Sequence, residues 1–168
     1  MTDRPRIGIS ACLLGERVRY NGGDKRNGWL VDELGPKVEW VSVCPEVEAG
    51  FGTPREPMKL VRGADGVASI VTANTRPDLT ATLRAFSERR VDELADERLD
   101  GYVLKAGSPS CAIDATIDVS GPGLFAEALM RRLPDLPVAD EQQLADVHVR
   151  RRFVERVFAR YAAGRSAR

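Results

Sequence analysis

Short β-branched runs alternate along this chain with longer stretches of helical character, and that alternation limits the possible folds more than any other feature. Arg6–Ser10, Val38–Val43 and Gly101–Lys105 read as strands. A short helix is expected through Trp29, Leu30 and Leu34, ended by Gly35-Pro36. Asp78 is a candidate N-cap for a long helix carrying Leu79, Leu83, Phe86, Val91 and Leu94. Gly121-Pro122-Gly123 opens another helix, which Pro134 stops, and a final helix is expected from Asp140 toward Ala162. Strands separated by helices pair in parallel. The fold class is therefore α/β: a single-domain layered fold with a mostly parallel central sheet flanked by helices. Lys59–Arg62 and Val67–Thr72 flank Gly63-Ala64-Asp65-Gly66 and add a small hairpin. Leu136–Val138 reads as a brief edge strand. Pro45–Pro57, with three prolines and two glycines, reads as loop. Residues 1–162 form the expected domain and 163–168 a frayed tail.

Bulk properties narrow the function. The chain has 168 residues, enough for one buried core, with 43% apolar and 30% charged residues. Its net charge is zero, which argues against a dedicated nucleic-acid binder. From Asp146 onward, however, seven arginines face two acids. That segment reads as a solvated helix face, with contact to a partner or an RNA backbone as the alternative. No secretory h-region and no apolar run of roughly 20 residues is present, so a cytoplasmic protein with no membrane partner is expected. His148, the one histidine, reads as structural or exposed, and Trp29 and Trp40 as core.

The chain has three cysteines, each following an apolar run. In open α/β sheets ligands bind outside the carboxyl ends of the strands. Cys12, Cys44 and Cys111 all lie past such an end, so their loops are expected to meet at one edge. An odd number of cysteines in a reducing compartment argues against a disulfide framework. Buried core thiols are the plain alternative; a three-thiolate metal or cluster site with one open position is the chemical one.

The loops around the cysteines carry further candidates. Glu46, two residues past Cys44, is closer to the thiol than Glu48 and is the candidate general acid or base, with a solvated loop glutamate as the plain alternative. Ser108 and Ser110 sit on the turn before Cys111, where they either donate to sulfur and substrate or cap the turn. Arg17, Arg19, Tyr20, Asn21 and Lys25 in the first loop suit a phosphate or a polar base edge, with a solvated charged loop as the alternative. Lys105, at a strand end, suits a carboxylate or phosphate. Arg55 is either an anion-binding group or an ion-pair partner.

Three blocks then resemble a known family. They are Ser10-Ala-Cys12-Leu-Leu-Gly15 with Val18-Arg-Tyr-Asn-Gly-Gly23; Cys44-Pro-Glu46 with Gly50 and Pro54-Arg55-Glu-Pro57; and Leu104-Lys105 with Ser108-Pro-Ser-Cys111. Together they resemble the thiouracil desulfurase family over roughly residues 7–140. The resemblance implies a 4Fe-4S cluster held by Cys12, Cys44 and Cys111, with a fourth iron open to the substrate's sulfur and readily lost from an aerobic sample. It implies that Glu46 is the acidic catalytic residue, with a serine contribution from the Ser108–Ser110 turn. Ala112 and Asn21 depart from the family pattern, which favours glycine and aspartate there.

The implied activity is non-redox removal of sulfur from 2-thiouracil, 4-thiouridine or 4-thio-UMP, giving the uracil form and hydrosulfide. A free base, nucleoside or nucleotide is favoured over RNA. Two other readings remain at this point: a zinc- or cluster-holding redox-sensing module, and a cysteine-nucleophile hydrolase or transferase, for which His148 is poorly placed.

Overall fold

The computed structural model describes residues 3–75, 77–114, 116–117 and 119–167. In chain order the strands are β1 (Arg6–Ser10), β2 (Glu39–Val43), β3 (Met58–Arg62), β4 (Ala68–Thr72), β5 (Gly101–Leu104) and β6 (Val138–Asp140). The helices are α1 (Pro45–Glu48), α2 (Thr80–Asp96), α3 (Leu124–Arg132) and α4 (Val147–Ser166). A π-helical turn occupies Trp29–Leu34, and short 3-10 turns occupy Ala11–Leu14, Gly35–Lys37 and Gln143–Ala145.

β1, β2, β5 and β6 form a four-stranded sheet in the order β2-β1-β5-β6, parallel throughout. β3 and β4 pair antiparallel as a separate hairpin. The α/β reading, the parallel sheet and the hairpin all stand. Alternation along β5 explains the layering. Tyr102 and Leu104 point into a core shared with the hairpin, α2 and α3, whereas Val103 joins Ile7, Ile9, Phe153 and Val157 on the opposite face. Gly8 makes this packing possible: a Cβ there would come within 2.2 Å of the Tyr102 ring. Tyr102 then stacks at a tilt on Phe125 of α3, with centroids 5.9 Å apart. Trp29 and Trp40 pack, half-buried, on the second core, and His148 is exposed.

Three boundaries differ from expectation. The Pro45–Pro57 loop contains α1, a single helical turn with Cys44 at its N-cap and Pro45 in its first position. The final helix begins at Val147 rather than near Asp140. β6 and a 3-10 turn use the intervening residues, and the Asp146 carboxylate caps α4 by accepting from the N–H groups of His148 and Val149. The expected tail is helical through Ser166, and Arg168 lies outside the described residues. Among the described residues no helix is long and apolar enough to cross a membrane.

Candidate active site

The parallel sheet delivers the three cysteines to one place. Cys12 lies on the 3-10 turn leaving β1, Cys44 is the first residue past β2, and Cys111 lies in the segment after β5. All three line a cavity of about 410 Å³ outside the carboxyl ends of these strands. Cys12 and Cys111 are buried and Cys44 is half-buried, and none is in a disulfide. Among the described residues no group of three or more His, Cys, Asp or Glu side chains is arranged to hold a single metal ion.

Two of the sulfurs have their own donors. The N–H groups of Val47 and Glu46, at the start of α1, bond the Cys44 sulfur and favour its thiolate. The Ser10 hydroxyl does the same for Cys111. Burial nonetheless dominates. It pushes the Cys12 thiol up to about 11, with Lys105 and Arg19 opposing the shift and Cys44 adding to it. Burial likewise raises Cys44 and Cys111, and Cys111 is raised further by the two other thiols. Three thiolates here need positive charge brought among them.

Glu46 forms the wall beside these sulfurs. Its Oε2 accepts Arg55 Nε at 2.9 Å and also the Arg55 Nη2 group, and both side chains are largely buried. Its Oε1 accepts the Ser110 hydroxyl at 2.9 Å. Arg55 spends its remaining nitrogen on the carbonyls of Val18 and Gly52. Every Arg55 nitrogen is thus committed within the protein, the ion-pair role rather than the anion-binding one. Glu48 turns away from the cavity, accepting the Cys44 N–H at 2.8 Å and pairing with Arg90. The Ser108 hydroxyl accepts the N–H groups of Ser110 and Cys111, at 3.2 and 3.1 Å. It fixes the turn on which Ser110 and Cys111 sit.

Of the first-loop candidates, Arg19 and Tyr20 line the cavity, with the Arg19 guanidinium 5.5 Å from the Tyr20 ring centroid. Arg17, Asn21 and Lys25 do not line it. Asn21 instead accepts the Gly23 N–H in a local turn. Lys105 lines the cavity with its ammonium bonded to Glu141 at 2.6 Å and to the Ala106 carbonyl at 2.8 Å.

A family model described as 2-thiouracil desulfurase matches residues 7–141. The chain belongs to the 2-thiouracil desulfurase family. It is 34% identical over 111 residues to the uncharacterized protein YbbK of Bacillus subtilis (strain 168), which covers 61% of this chain and 70% of that protein. It also resembles the solved structure of the 4Fe-4S-dependent thiouracil desulfidase TudS, with a TM-score of 0.66 and 33% identity over 84% of this chain and 94% of that one.

In this member of the family, sequence reading missed three supports of the site. Ser10 joins two strand ends: its hydroxyl accepts the Lys105 N–H at 2.9 Å while serving Cys111. Its place in the first block was the available signal. Glu141 holds both Lys105 and the Ala106 N–H, and no local pattern marks it. Gly123 brings the start of α3 against the Cys111 turn, so that the N–H groups of Leu124, Phe125 and Ala126 bond the carbonyls of Pro109 and Ser110. The Gly-Pro-Gly sequence announced a helix start but not what that start would grip.

Proposed function

We propose that this chain is a non-redox desulfidase of thiolated uracil compounds, and that Cys12, Cys44 and Cys111 hold a 4Fe-4S cluster for that reaction. One observation carries the reading: three thiols line one cavity whose wall contains the Ser110–Glu46–Arg55 chain. The donor set suits a cluster, because thiolates select iron–sulfur centres and each sulfur lies beside polar donors or cations that moderate its charge. The family match and the likeness to TudS support the same assignment.

When bound, a cluster with three protein ligands supplies an open iron, a Lewis acid for the thiocarbonyl sulfur. The chain's own residues supply the rest. Both Glu46 oxygens are occupied by donors, so its route to the cavity runs through Ser110. A water at the substrate carbon gives its proton to Ser110 Oγ as the Ser110 proton passes to Glu46 Oε1. Arg55 holds the carboxylate in the orientation that relay needs. Lys105, fixed by Glu141, and Arg19 set a positive edge around the bound base, nucleoside or nucleotide. A thiocarbonyl and water become a carbonyl and hydrosulfide, with no electrons transferred.

Anaerobic reconstitution with iron and sulfide, followed by thiocarbonyl absorbance, tests the reading. We expect at least one of 2-thiouracil, 4-thiouridine and 4-thio-UMP to be consumed with release of hydrosulfide. A cluster-loaded sample that consumes none of them would overturn it.

A further inference from the structure

The chain carries no net charge, yet that charge is not evenly distributed. α4 holds six arginines, one glutamate and no lysine, a balance of +5, so the remainder of the chain carries −5. α4 also lies beyond residues 7–141, the part matched by the family model.

Outside α4, Arg6, Arg26, Arg55, Arg90, Arg131 and Arg132 each meet a carboxylate. On α4, among the described residues, Arg165 alone does, with Asp3 at 3.5 Å. Arg151, Arg152 and Arg156 are exposed, and no carboxylate among the described residues lies within ion-pair distance of them. Among the described residues Arg160 bonds the carbonyls of Leu99 and Asp135 and no carboxylate. Arg152, Arg156 and Arg160 are four residues apart and so stack along one line of the helix, an arrangement of like charges that weakens an isolated helix.

We infer that the exposed face of α4 docks on the phosphodiester backbone of RNA. A guanidinium fork fits phosphate, and a row of unpaired forks fits a polyanion. A membrane surface is a poorer match, because the apolar side of α4 is already spent: Phe153 and Val157 are buried in the core, with Val154 and Phe158 packed beside them. An acidic protein is also a poorer match, because the exposed residues between the arginines include Ala159, Ala162 and Ala163, which offer no aromatic anchor. RNA is chosen over DNA because uracil is an RNA base, and that choice alone rests on the proposed function.

The test is fluorescence anisotropy of a labelled 20-nucleotide single-stranded RNA with the full chain, across a salt series. Four phosphate contacts, from Arg151, Arg152, Arg156 and Arg160, give a loss of about 50-fold in affinity between 50 and 200 mM salt. The triple variant R151Q/R152Q/R156Q should bind more weakly at 50 mM and lose only about 3-fold over the same range. Its thermal midpoint should be no lower than the parent's, and the single variant R156Q should fall between the two in salt dependence. The inference is overturned by parent and triple variant binding RNA alike, by absence of RNA binding at 50 mM salt, or by tighter binding to DNA of the same sequence, anionic-lipid vesicles or polyglutamate. Turnover of a small thiolated pyrimidine is a separate readout, so failure of the desulfidase reading leaves the binding result intact.

Discussion

Gly123→Ala should damage the candidate site without touching a thiol. Gly123 has φ −66° and ψ 159°, a conformation alanine adopts freely, so backbone strain plays no part. The cost is steric. A Cβ would lie 2.4 Å from the Ser110 carbonyl carbon, 2.5 Å from its oxygen and 2.8 Å from the Cys111 nitrogen. All three are backbone atoms, so no rotamer relieves the clash. Restoring ordinary contact at 3.4 Å or more requires the Ser110–Cys111 segment and the start of α3 to separate by about 1 Å. Overpacking of this kind costs about 1–3 kcal/mol. It also displaces Cys111 relative to the other thiols and disturbs the Ser110 to Glu46 hydrogen bond, and a 1 Å misplacement near the chemistry costs about 100-fold in rate. Iron content after anaerobic reconstitution, turnover and the thermal midpoint should all fall. Gly28→Ala is the control: Gly28 has helical dihedrals, and its added Cβ meets only Asp32 Oδ2 at 3.7 Å. A Gly123→Ala protein with the parent's midpoint, iron content and turnover would refute the claim that this contact sets the Cys111 turn.

Arg55→Ala leaves the Glu46 carboxylate largely buried without its cation, and breaking such a pair costs about 3–5 kcal/mol, readable as a fall in the urea midpoint. Tyr102→Phe should be neutral or stabilising by about 1 kcal/mol, because the Tyr102 hydroxyl is buried with no hydrogen-bond partner among the described residues; a clear loss of stability would contradict that. The N–H groups of Val149 and His148 hold the Asp146 carboxyl below its ordinary value of 3.8. Its contribution to α4 is therefore present above about pH 4 and lost as pH falls through the folded value. Asp146→Asn keeps a capping oxygen but does not titrate, so thermal midpoints measured from pH 2 to 7 should fall less steeply at the acid end than the parent's.

The sheet was legible because its strands are short, β-branched and separated by helices, a pattern with few packing solutions. α1 was hidden because four helical residues cannot show a period, although Cys44-Pro45 and the Glu48 carboxylate reaching back to the Cys44 N–H marked it locally. The start of α4 was misplaced because Asp140 and Asp146 are both credible caps, and only tertiary pairing of β6 with β5 takes Asp140 out of the helix. In the site, the cysteines, Glu46 and the serine turn could be read from their neighbours in sequence. Glu141 could not, since its partner Lys105 is 36 residues away. Nor could the commitment of Arg55 to Glu46, the Val18 carbonyl and the Gly52 carbonyl, which depends on two loops meeting.

The electrostatics of the cavity point to what its occupant must bring. Two cations at its wall are matched inside the protein, Arg55 by Glu46 and Lys105 by Glu141. Arg19 and Lys59 line it with no carboxylate within ion-pair distance among the described residues, and Arg19 is the one that lowers the Cys12 thiol. Burial raises all three thiols, and repulsion from the neighbouring thiols adds to the rise at Cys12 and Cys111, so ionising them is opposed. The donors already placed on them, the Ser10 hydroxyl and the first N–H groups of α1, lower the cost of ionisation without removing it. The 4Fe-4S cluster proposed for Cys12, Cys44 and Cys111 would reverse that balance by bringing positive charge to the three sulfurs. Arg55 and Lys105, though paired with Glu46 and Glu141, still lower the Cys44 and Cys12 thiols.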